Sequence, residues 1–166
     1  MAENKPIKQD VSGFKAIADA VVELLNSYPG LNGSEITFGG LSENGGISVE
    51  TDSGALVNTE AVDIVGNVYQ TCQFPFYLVL RGDASTERQK LLISEFLDNI
   101  GAWICREPVT IGGVEYRLDE YPALSNGRRI IEADRSNNYA LAPNDNGVQD
   151  WVLPVTVRYT RNFKKI

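Results

Sequence analysis

Histidine does not occur anywhere in this 166-residue chain. Its absence removes the one side chain that titrates near neutral pH without help from its surroundings, and with it the commonest metal ligand. Enzymes that work without histidine use carboxylates, Lys, Tyr or Cys, so the gap narrows the available chemistry without closing it. Cysteine is nearly as scarce, with only Cys72 and Cys105 present. A disulfide framework is therefore not expected. Cys72 sits on the apolar face of a strand pattern and Cys105 at the end of an apolar helix pattern, which predicts two buried free thiols in a chain made and kept in the cytosol. No run approaches the roughly 18 apolar residues of a membrane helix. The start, Met1-Ala2-Glu3-Asn4-Lys5, lacks the apolar core of a signal peptide. Phosphate-loop signatures are missing too: no GxxxxGK[ST] occurs, and no GxGxxG opens a helix. The pairs Gly39-Gly40, Gly45-Gly46 and Gly112-Gly113 read as turns, as does the formal sequon Asn32-Gly33-Ser34.

What is present is ordinary globular composition, with 43% apolar and 22% charged residues. That suits one domain large enough for a real core. The net charge is -7, from 22 acids and 15 bases. Such a balance argues against a protein whose main business is gripping nucleic-acid phosphates. It leaves open a surface that DNA passes without adhering.

The stretch Val68–Arg106 organises the chain. From Cys72 to Arg81 the even positions Cys72, Phe74, Phe76, Leu78 and Leu80 are all apolar, the alternation of a strand with one covered face. After a turn at Gly82-Asp83-Ala84-Ser85, a helix capped by Ser85 runs to about Cys105. Leu92, Ile93, Phe96, Leu97, Ile100, Trp103 and Ile104 supply its apolar stripe over that strand. Pro75 cannot donate to a ladder and marks an edge, a bulge, or a stretch free on one side.

An earlier helix is expected over Val11 to Tyr28, capped by Asp10 or Ser12 and stopped by Pro29-Gly30. Short strands follow at 36–38 and 47–51, with Asp52-Ser53-Gly54 closing a hairpin onto 55–57. Past the second helix, Val109 to Leu118 reads as a hairpin about Gly112-Gly113, 128–135 as a strand, and Ser136 to Gly147 as a loop or hairpin tip. In the last strand Trp151, Leu153, Val155, Val157 and Tyr159 share one face, and Pro154 suggests an edge or bulge. The whole is an α+β domain, a mainly antiparallel sheet with two helices packed on one face. Residues 1–10 are expected to be a flexible N-terminus, 11–163 a single domain and 164–166 a tail.

Candidate sites carry little chemistry. The acids Asp119-Glu120, Glu132-Asp134 and Asp145-Asp150 have no fixed separation, and arginines flank one pair; solvated ion pairs explain them more simply than a carboxylate enzyme or ligand site using Arg128 and Arg129. Asn144-Asp145-Asn146-Gly147 lacks the spacing and terminal Glu of a calcium loop. Neither cysteine has a histidine to activate it. No catalytic residue, metal ligand or cofactor is assigned. The many tyrosines suit either an interface or a wet sheet face.

The strand Gln73-Phe74-Pro75-Phe76-Tyr77-Leu78-Val79-Leu80-Arg81 leads to Glu95-Phe96-Leu97-Asp98-Asn99-Ile100-Gly101-Ala102-Trp103. Ile131-Glu132-Ala133 and the run from Asp150 to Tyr159 come later. With Leu24-Leu25-Asn26-Ser27-Tyr28-Pro29, these phrases resemble the tail-terminator or minor capsid proteins of long-tailed phages and prophages of Gram-positive bacteria. The likeness spans about Val11 to Phe163. It implies a structural virion protein, not an enzyme, that forms a ring, typically a hexamer, and closes head to tail, in some cases only on the tail tube. Its partners would be the major tail protein and the head-tail connector or stopper, with DNA passing through the lumen without specific binding and no membrane involved. It would be assembled in the host cytoplasm and end in the virion tail. Another head-tail joining protein is the alternative. Candidate contact residues are Tyr116, Tyr121, Arg128, Arg129, Tyr139 and Arg158, with the loops 39–46 and 136–147 and the Gly112 hairpin.

Overall fold

The computed structural model describes residues 6–42, 45–83, 85–145 and 147–165. From the N-terminus run β1 (Lys8–Gln9), a 3-10 turn (Val11–Gly13), α1 (Phe14–Asn26), β2 (Ile36–Phe38), β3 (Gly46–Glu50) and β4 (Leu56–Val62). Then come β5 (Asn67–Asp83), α2 (Glu87–Ile104), β6 (Val109–Ile111), β7 (Val114–Tyr116), β8 (Arg128–Arg135), β9 (Tyr139–Ala140) and β10 (Val148–Lys164).

Strands β5 and β10 pair antiparallel over all 17 residues of each, from Val148↔Asp83 to Lys164↔Asn67. At about 3.3 Å per residue this ribbon is roughly 55 Å long. Everything else in the sheet is shorter and lines its two edges. Along β5, β3 stands opposite residues 77–81 and β4 opposite residues 68–73. Along β10, β9 stands opposite 151–152 and β8 opposite 155–161.

Both prolines fall in the gaps between these end-to-end neighbours. Pro75 lies between the stretches that β3 and β4 cover, and Pro154 between those covered by β9 and β8. Their polar groups face the gaps. The carbonyl of Pro154 accepts from Ser136 N at 3.0 Å, on the side away from β5. In an antiparallel ladder Thr156, two residues on, shares that orientation, so its partner Pro75 points away from β10. Neither proline removes a bond from the central ladder. The free-side reading holds for Pro75; for Pro154 the edge-or-bulge expectation is corrected, because β10 is central and the interruption lies in its neighbour.

The same gap explains a second correction. Asp52-Ser53-Gly54 does not fold 47–51 back onto 55–57; β3 and β4 both run antiparallel to β5, and β3 pairs instead with β2 in the one parallel pair of the sheet described. Residues 51–55 carry the chain past Pro75, where the ladder has no donor to offer.

The even positions of β5 and the odd positions of β10 meet on one face. Phe74, Phe76, Leu78, Leu153, Val155, Val157 and Tyr159 are buried there. Helix α1 covers them with Ile17, Val21, Leu24 and Leu25, and α2 with Leu97, Ile100, Trp103 and Ile104. Tyr28 links the helices, its ring 5.3 Å from Trp103. This is the expected α+β arrangement. The N-cap of α2 is Thr86, not Ser85: Gln89 N donates to Thr86 Oγ1 at 3.2 Å and Thr86 N to Gln89 Oε1 at 3.1 Å, a reciprocal capping box. Leu92 was expected in the cover, but it is 53% exposed because the first two turns of α2 extend beyond the packed core.

The chain ends are more engaged than expected. Ile7 N donates to Val57 O at 2.8 Å, and β1 pairs with β4, so Ile7–Asp10 do not behave as a flexible arm. Residues 1–5 lie outside the described residues. Lys164 is still in β10, and Lys165 N donates to Gly66 O at 2.8 Å; Ile166 lies outside the described residues.

This packing separates two substitutions that pattern alone would treat alike. Phe76→Ala should lower unfolding free energy by about 3–5 kcal/mol in chemical denaturation. Leu92→Ala should stay within about 0.5 kcal/mol of the parent.

Candidate functional site

Asp10 closes the core at the Lys164 end of the ribbon. It stands just before the 3-10 turn, where its Oδ1 accepts from Gly13 N at 3.2 Å and caps that turn. The same carboxylate receives a forked pair of bonds from Arg128, Nε to Oδ2 at 3.0 Å and Nη2 to Oδ1 at 2.8 Å. Tyr159 Oη donates to Oδ2 at 2.7 Å, and Arg161 Nη1 lies 3.6 Å from Oδ1. Arg128 Nη2 also reaches Ser12 Oγ at 3.0 Å. Asp10 is 2% exposed, so this is a fully desolvated ion pair joining residues 118 apart in sequence. Gly13 makes the approach possible: a Cβ there would sit 2.1 Å from Asp10 Oδ2 and 2.6 Å from Arg128 Nε.

The protonation states follow from the surroundings. Burial alone would push the Asp10 carboxyl up, but hydrogen bonds from Arg128 and Tyr159 and the fields of Arg128 and Arg161 outweigh it and hold it below the ordinary value. Burial and the carboxylate beside it push the Tyr159 hydroxyl up. Burial also pushes the thiols of Cys72 and Cys105 up to about 11, so both stay protonated near neutral pH and are poor nucleophiles.

Arg128 is thus corrected as a contact residue. Its side chain is 1% exposed and is committed to Asp10 and Ser12. The clue was parity: Arg128 lies two residues before the buried Ile130 and so shares its inward face. Asp10, read from sequence only as a cap, had no such signal for its distant partner.

Tyr121, Arg128 and Arg129 do come together along an open groove of about 640 Å³ beside β8 that also includes Arg106, Glu120 and Ile131, although the Arg128 side chain is committed to Asp10. Tyr121 is held there by the fold. Its hydroxyl donates to Ile104 O at 2.8 Å, and burial pushes its pKa up to about 12. Arg106 Nη2 donates to Asp119 O at 2.6 Å, and its guanidinium stands 5.9 Å from the Tyr121 ring centre. Glu120 is the one carboxylate lining this groove. Glu132 and Asp134 face a different depression and flank Arg158, whose Nε is 3.4 and 3.0 Å from them. Asp150 is bound to Arg81 across the ribbon, at 2.7 and 3.0 Å. The acids of a carboxylate site are therefore scattered, and among the described residues no three His, Cys, Asp or Glu side chains converge to hold a metal. Tyr116 on β7, Tyr139 on β9 and Arg158 on the uncovered sheet face lie apart from this groove.

No family model matches the sequence, and no curated protein sequence matches it. Among solved structures, the chain is similar to one from the virion of a native gene transfer agent particle, with a TM-score of 0.55 and 17% sequence identity. The match covers 91% of this chain and 98% of that chain. At this identity the likeness shows a shared fold.

The buried pair makes two measurable claims. Asp10→Asn should cost about 3–5 kcal/mol, because it leaves Arg128 buried beside an uncharged partner. The folded-state pKa of Asp10 lies below its unfolded value, so its contribution is complete above about pH 4 and lost as pH falls through the folded pKa. Acid denaturation should therefore show the full difference between variant and parent above about pH 4, shrinking as pH falls from there through the folded pKa of Asp10.

Proposed function

We propose that this chain is a structural protein of a phage-like virion and acts as a tail terminator, a ring that caps the finished tail tube and receives the head connector. The observation that carries the reading is the fold shared with a virion chain over nearly the full length of both molecules. The aromatic phrases of β5, α2 and β10 that resemble terminator proteins lie in the part of the fold that defines it.

Two further features agree with a structural role. The core side of the sheet spends its buried charge on the Asp10–Arg128 pair, which joins the N-terminal turn to β8. Among the described residues the other face has no helix over it; it buries Ser48, Val79 and Val152 toward the Asp83 end and presents Tyr69, Thr71, Tyr77, Thr156 and Arg158. A net charge of -7 suits a subunit that stands with copies of itself around a passage for DNA. A stopper or another tail component would use the same scaffold and differ in what it caps.

The test is co-sedimentation with assembled tail tubes from the same phage or prophage, followed by negative-stain electron microscopy. A terminator binds one end of each tube as a ring and stops further tube growth. Binding along the tube wall, or none, would contradict the assignment; binding to the head connector alone would make it a stopper.

A further inference from the structure

Two apolar features stand in solvent at opposite ends of the β5–β10 ribbon. At one end is the β4–β5 turn. Ile64 there is 103% exposed, and Val62 and Val65 beside it are exposed as well. The turn is held rigidly: Asp63 Oδ1 accepts from Val65 N at 3.0 Å and Asn67 N at 2.9 Å, and Oδ2 from Asn67 Nδ2 at 2.9 Å. The bond from Lys165 N to Gly66 O ties it to the end of β10. At the other end, past Asp83, α2 begins with residues 87–92 exposed to solvent. Leu91 is 70% exposed there and Leu92 is exposed beside it. This surface is also held, by the Thr86–Gln89 capping box and by Asn138, whose Nδ2 donates to Asp98 Oδ1 at 2.7 Å and Ser94 O at 3.3 Å.

Aliphatic side chains fixed in solvent on rigid supports lose little entropy when a partner covers them. We infer that the occupant of each end is the other end of a second copy: the Ile64–Val65 knob of one subunit packs on the Leu91–Leu92 surface of the next. The charges match. Lys164 and Lys165 flank the knob, whose Asp63 is engaged within the turn. Asp83, Glu87 and Glu95 stand around the helical surface and outnumber Arg88 and Lys90. The β2 edge offers a poorer route, since Asn26 takes up both backbone groups of Ile36, at 2.8 Å each. A knob and a receptor on different parts of one chain make a heterologous contact, which propagates head to tail and closes when the rotation allows. This inference rests on the ring reading and assigns its subunit contact.

The test measures mass by sedimentation equilibrium across concentration, with and without tail tubes, for the parent, Ile64→Asp, Leu91→Asp and an equimolar mixture of the two variants. Both sites are exposed, so both variants should fold; Ile64→Ser and Leu91→Ser repeat the test should a charged variant fail to fold. The expected result is self-association of the parent and a loss of roughly 30-fold or more in affinity for each variant alone. In the mixture each variant keeps one intact half, so it should yield a heterodimer and nothing larger. Variants that assemble like the parent would overturn this contact and leave the terminator assignment standing. A parent that stays monomeric alone and on tubes would overturn both.

Discussion

The pairing of β5 with β10 is the constraint on which the rest depends. A ladder of 17 uninterrupted residue pairs fixes which side chains face the helices, and it fixes where two prolines can stand. Because Pro75 and Pro154 turn their polar groups outward, neither flanking strand can run unbroken past them. The flanks are split into β3 and β4 on one side and β9 and β8 on the other. The order of short strands, which looks irregular along the chain, follows from two residues that cannot donate.

Helices cover the ribbon for only part of its length, and its ends meet different fates. At the Lys164 end, Arg128 and Arg161 point to the core side with Tyr159, and the N-terminal turn brings Asp10 to pair with Arg128 and stand beside Arg161. That interaction makes residues 7–13 part of the domain. Its net contribution to stability is modest by general experience with buried ion pairs, while breaking it from one side is costly. It acts as a registration device between the first residues of the fold and a strand more than a hundred residues later.

Much of this was legible in the sequence. The alternation of Phe74, Phe76 and Leu78, the odd-numbered face of β10 and the 3-4 spacing of Ile100, Trp103 and Ile104 are local patterns with one physical meaning. The Gly112-Gly113 hairpin and the strand 128–135 are likewise where turn chemistry and periodicity put them. What failed to show was non-local. The partner of β3 is set by the gap at Pro75, not by Asp52-Ser53-Gly54. The reach of β4 through Asn58-Thr59-Glu60 is set by pairing with β5, since those polar residues carry no strand pattern of their own. The ion pair of Asp10 with Arg128 spans the fold, and only the parity of Arg128 with Ile130 hinted at it. The exposure of Ile64 and Leu91 could not be read at all, because an apolar residue in sequence looks the same whether the protein's own core or a neighbour covers it.

A rigid spine with unsatisfied apolar surface at both ends is a sensible part for an assembly, and amide hydrogen exchange on the free and tube-bound protein tests that description most directly. The account predicts that Phe74–Leu78 and Leu153–Val157 exchange slowest in both states. Residues 60–69 and 87–95 should gain protection only on assembly. Fast exchange along the centre of the ribbon, or new protection confined to the helix-free face of the sheet, would contradict it.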